Sequence, residues 1–162
     1  MMPSTATQTF ASTREIGPRL NAIAPEFVAR DHSGQPHHLR DLIGHEGLIL
    51  GFIEDTWHEA SVQRILWLER HAHTFINEGF NVALLICDKP HTLYGFYISS
   101  RMPPQFPLLA DVNGEIHREF NMSSQAGLLL LNHSGLIQHK WLVPDDCVWP
   151  KIHEVMDKLA TL

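Results

Sequence analysis

Cysteine is scarce in this chain. Of 162 residues only Cys87 and Cys147 are cysteines, and no C-x-x-C pair occurs. A disulfide scaffold is excluded, and a reducing, cytoplasmic setting is expected. Long apolar runs are missing too: nowhere do eighteen apolar residues follow one another, and the opening MMPSTATQTFASTREIGPRL has no basic start leading into an apolar stretch. Neither membrane insertion nor secretion is signalled. Positive charge is in deficit, with 12 Lys and Arg against 18 Asp and Glu and a formal net charge of −6. The cations are scattered, so there is no basic stripe to neutralise phosphates, and nucleic acid is not an expected partner.

Histidine, by contrast, is abundant at 12 residues, so surface charge should change steeply as pH falls past the imidazole range. The pairs His37 with His38 and His71 with His73 suggest metal. Adjacent or alternate residues do not share one side of a helix, and no H-x-x-x-H or cysteine set accompanies them. Neither a metal nor a cofactor is expected. Asp111, Val112, Asn113 and Gly114 form a turn without the remaining calcium-loop ligands.

At 44% hydrophobic and 19% charged, the composition is that of one soluble domain able to bury a full core. Residues 1–21, rich in Ser, Thr and small side chains, read as an N-terminal arm that is mobile or docks late, and residues 22–162 as the domain. FVARDHSGQPHHL predicts a hairpin turning at Asp31, His32, Ser33 and Gly34. GLILGFI, continuously apolar, predicts a strand covered on both faces at the centre of the sheet. Val62, Ile65, Leu66, Ala72, Phe75 and Ile76 then fall at helical spacing, with Gly79 as the stop. FNVALLIC repeats the buried-strand pattern through Cys87, and Pro90 opens a second helix. Strand, helix, strand, helix implies a parallel βαβ unit. FPLLAD reads as a short strand and GEIHREF as a short helix. GLLLLNHSGLIQHKWLV reads as an antiparallel hairpin, and Trp149, Ile152, Val155, Met156 and Leu159 as a closing helix.

This order is the thioredoxin-like α/β arrangement: a central mixed β-sheet flanked by helices, with an N-terminal β-hairpin. Its residues resemble the alkyl hydroperoxide reductase/thiol-specific antioxidant (AhpC/TSA, redoxin, peroxiredoxin-like) family. APEFVARDHSGQPHHLRDLIG is similar to that family's opening, FPLLADVNGEIHREFNM to its FPLLSD segment, and GLLLLNHSGLI to its GLFIID hairpin. The resemblance implies a thiol peroxidase whose site is a Pro, a Thr or Ser four residues on, the attacking Cys three further, and an Arg at the later hairpin. A helix N-terminus and a cation lower the thiol's pKa for attack on peroxide. Aligned along LGFIEDTWHEAS, these four positions hold Glu54, His58, Ser61 and Ala126. A second alignment, to T-W-C-x-x-C, matches Thr56 and Trp57 and sets His58 and Ser61 at the two cysteine positions. Residues 54–63 contain no cysteine under either alignment, and a serine hydroxyl cannot form the sulfenic acid that turnover requires. The resemblance therefore implies an antioxidant-family oxidoreductase scaffold, here a non-peroxidase binding or accessory pseudoenzyme. The alternatives are an oxidoreductase working through Cys87 or Cys147, and a purely structural homodimer.

Six local readings accompany this. Thr56-x-x-Glu59 has the form of a capping box, with Thr56 as cap and Glu59 reaching back. Thr56, Trp57, His58 and Ser61 could instead line a pocket at a helix N-terminus for a small anion or a partner protein. His58 and Ser61 as base and nucleophile would need an orienting carboxylate that the sequence does not specify. A Cys87 to Cys147 pair is disfavoured, because two strands are expected between those leading to them. Asp145 and Asp146 beside Cys147 should raise its pKa while the following helix N-terminus lowers it. Trp141 and Trp149 read as core or dimer-contact residues.

Overall fold

A computed structural model describes residues 16–144 and 149–162. Seven strands, β1 (Val28–Asp31), β2 (Pro36–His38), β3 (Gly47–Ile53), β4 (Phe80–Ile86), β5 (Leu108–Ala110), β6 (Ala126–Asn132) and β7 (Ile137–Val143), form one mixed sheet in the order β2-β1-β5-β4-β3-β6-β7. Five helices accompany it: α1 (Leu39–Leu42), α2 (Glu59–Asn77), α3 (Pro90–Ser99), α4 (Glu115–Glu119) and α5 (Ile152–Leu159). Among the described residues, no helix is long and apolar enough to cross a membrane.

The apolar runs become interior strands because both faces are covered. All seven residues of β3 are buried, and their two-residue alternation sends Ile49 and Ile53 to one core and Leu48, Leu50 and Phe52 to the other. On the first face α2 contributes Ile65, Leu68, Ala72 and Phe75, α3 contributes Leu93, and α5 contributes Val155 and Leu159. On the second, α1 supplies Leu39 and Leu42, and α4 supplies Ile116. Gly47 has to be glycine: a Cβ there would meet the Leu131 carbonyl oxygen at 2.1 Å. Gly79 ends the turn after α2 at φ +91°, with its amide donating to the Ile76 carbonyl at 2.9 Å.

The expected hairpins and the parallel β3-α2-β4 unit are all present. The central position belongs to β4, with β3 beside it. β3 lies between parallel β4 and antiparallel β6, so its carboxyl end meets the start of β6, and α/β proteins open their ligand crevices beyond the carboxyl ends of their strands. Part of the arm lies within the described residues and is docked: Lys140 donates to the carbonyls of Ile16 and Pro18, and Asn121 donates to that of Gly17. Trp149 is core, its indole N–H donating to the Arg64 carbonyl at 2.7 Å, and Trp141 packs partly buried against the same cluster.

Candidate functional site

Register gathers the site. Ile53 pairs with Ile86, and Ile86 with Ala110, so the next residue on each strand, Glu54, Cys87 and Asp111, emerges along one sheet edge. Antiparallel β6 starts there, with Gly127 opposite Phe52, and brings Ala126 to the same end. Two cavities open on this edge, and Glu54 and Ser124 line both.

The first cavity, about 510 Å³, is lined by Glu54, His58, Ser61 and Ala126, together with Asp55, Glu59 and Arg64. The four positions singled out from the family resemblance thus meet at one place. Ser61, in the first turn of α2, and Arg64, one turn on, are both buried. Arg64 donates to the Pro144 carbonyl at 2.9 Å and lies 5.9 Å from the Trp149 ring centroid. Thr56 and Trp57 do not line this cavity; Trp57 is exposed and stacks on His58 with ring centroids 3.9 Å apart.

The capping box does not form. His58 is the N-cap residue and makes no side-chain cap bond. The preceding turn is closed by Asp55, whose Oδ1 accepts from the amides of Trp57 at 3.0 Å and His58 at 2.8 Å. Asp55 Oδ2 lies 2.6 Å from His58 Nδ1. Burial opposes the Asp55 charge, but these bonds outweigh it and hold the carboxyl below its ordinary value. Asp55 wins over Thr56 because an ionised carboxylate accepts several bonds at once, whereas a hydroxyl accepts fewer and more weakly. It is also the carboxylate beside His58 that the sequence did not specify, yet among the described residues no hydrogen bond joins His58 to Ser61. Asp55 stands with Glu54 and Glu59 in the lining, and Arg64 brings a cation to the same cavity.

The second cavity, about 450 Å³, is lined by Cys87 and His117 with Glu54, Gly114, Arg118 and Ser123 among its walls. Asp111 and His117 are buried. Asp111 accepts from the amide of Ile116 at 3.0 Å and of His117 at 2.8 Å, and its Oδ2 lies 2.7 Å from His117 Nδ1. His117 Nε2 donates to the Ile53 carbonyl at 3.1 Å, and Cys87 Sγ lies 3.5 Å from Nδ1. Burial first, then the carboxylates of Asp111, Glu54, Asp88 and Asp55, push the Cys87 thiol up to about 12. This is the reverse of the cationic setting that activates a thiol. Sequence reasoning found Cys87 but missed Asp111 and His117 as its neighbours, because the three come from separate elements and share no short motif. Cys147 lies outside the described residues. The strands β4 and β7 do have β3 and β6 between them. His37 is engaged with Asp31 at 2.7 Å, and His71 packs edge-on against Trp67.

The parallel βαβ core, the flanking hairpins and the site at the carboxyl ends of β3, β4 and β5 define a thioredoxin-like α/β protein. The AhpC/TSA family model matches residues 20–144, and the chain belongs to that family. Solved structures agree on the fold. Peroxidoxin BcpB from Mycobacterium tuberculosis is similar at a TM-score of 0.72 and 15% identity, over 89% of this chain and 96% of that one. A Plasmodium vivax 2-Cys peroxiredoxin in its reduced form reaches 0.76 at 15% identity, over 87% and 80%. A yeast mitochondrial 1-Cys peroxiredoxin reaches 0.77 at 14% identity, over 88% and 76%. No curated protein matches the sequence.

Proposed function

We propose that this chain is a non-peroxidase member of its family, a binding or accessory protein whose ligand occupies the cavity at the start of α2. One observation carries this reading: Glu54, His58, Ser61 and Ala126 converge on a single cavity, and among the described residues no cysteine lines it. Ser61 offers an oxygen there, without the oxidation ladder of a thiol. The carboxylates of Glu54, Asp55 and Glu59 and the Arg64 guanidinium favour a small polar or zwitterionic molecule with hydrogen-bond donors over the small anion expected from the sequence. The reduced protein given hydrogen peroxide, with thioredoxin or dithiothreitol as reductant, should show negligible turnover. Turnover that disappears in Cys87→Ser would replace this proposal with the relocated-thiol alternative.

A further inference from the structure

We propose that Cys87, Asp111 and His117 form a binding site for a zinc-like divalent cation, with a fourth coordination position open to the second cavity. Their donor atoms, Sγ, a carboxylate oxygen and a ring nitrogen, all lie within 4.8 Å of one another. The 3.5 Å from Sγ to Nδ1 matches the separation of about 3.5 Å between a sulfur and a nitrogen held tetrahedrally by zinc at about 2.3 and 2.0 Å. The 2.7 Å from Nδ1 to Asp111 Oδ2 is a contact across a shared proton, and replacing that proton with a metal opens it by roughly half an ångström.

The surroundings suit a ligand histidine. His117 Nε2 donates to the Ile53 carbonyl, the arrangement that fixes an imidazole's orientation and leaves its other nitrogen for a metal. Asp111 is held in place by two backbone amides. The Phe52 ring meets His117 edge-on at 5.1 Å and limits its rotation. The carboxylates around Cys87 that work against a free thiolate attract a cation, and coordination releases the thiol proton to solvent. A thiolate and an imidazole select zinc or cobalt over calcium or magnesium. The cavity provides an entry path, with Glu54 and Arg118 as its charged walls.

Cobalt(II) added to the reduced full-length chain reports directly on thiolate coordination. Expected is one equivalent bound with a thiolate-to-cobalt charge-transfer band in the near ultraviolet, displaced by one equivalent of zinc. The band should vanish in Cys87→Ser, which removes only the sulfur, and zinc affinity measured against a chromophoric chelator should weaken about tenfold or more. His37→Ala with His38→Ala, which removes the half-buried His37 and the exposed His38 of β2, should leave the band intact. Cobalt bound without a thiolate band, or a band that survives in Cys87→Ser, would overturn the proposal. His117→Gln, checked for folding by circular dichroism, gives a second reading: retention of the band there would also overturn it.

Discussion

The two cavities at the carboxyl edge of the sheet share Glu54 and Ser124 but differ in chemistry. One has the helix N-terminus, a buried arginine, three carboxylates and Ser61, and among the described residues no cysteine. The other has a thiol that burial first, and then the carboxylates of Asp111, Glu54, Asp88 and Asp55, hold towards its protonated form. Among the described residues, the cavity with the helix N-terminus holds no sulfur, and the cavity with sulfur holds Glu54 beside it. The comparison shows that family membership fixes where chemistry can sit, while the residues placed there decide which chemistry it is.

The largest expected effect lies on the Cys87 side. Asp111→Ala strands two backbone amides and the His117 ring in a buried setting and should cost about 3–5 kcal/mol in urea unfolding. Ser61→Ala on the other side should stay within about 1 kcal/mol. Equal losses would erase the contrast between a structural network and a ligand cavity.

Alkaline titration sharpens it further. The Cys87 thiol is raised from 9.0 to about 12 in the folded chain, so between those values the folded state holds a proton that the unfolded state has lost. Stability should therefore fall as pH rises through that window. Comparing the wild-type chain with Cys87→Ser isolates this slope, and identical slopes would mean that the thiol is not held protonated. The smallest effect concerns the turn before α2. Asp55→Ala should lose about 1 kcal/mol, as losses of helix-end caps do, while Thr56→Ala should change stability by less than about 0.5 kcal/mol. The opposite ranking would restore the capping box.

The fold was legible wherever local pattern and burial agree. GLILGFI is apolar throughout, and FNVALLIC apolar but for the exposed Asn81, because both faces of these strands are covered, and Pro90 and Gly79 mark helix ends for backbone reasons that hold in any context. Convergence of Glu54, His58, Ser61 and Ala126 was legible through the family resemblance. The helix start was misread because Thr56-x-x-Glu59 matches a common cap, and nothing local reveals that Asp55 would turn both carboxylate oxygens onto that turn. The cluster of Cys87, Asp111 and His117 was hidden because strand register, not sequence spacing, unites it.

Exposure of the reduced protein to stoichiometric hydrogen peroxide in the presence of dimedone, followed by peptide mass spectrometry, addresses the state of sulfur at this edge most directly. Cys87 should remain unmodified over the time in which an ordinary exposed thiol is labelled. Rapid, near-complete sulfenate trapping at Cys87 would contradict a thiol held inert by burial and its carboxylate surroundings and would show that a displaced sulfur attacks peroxide.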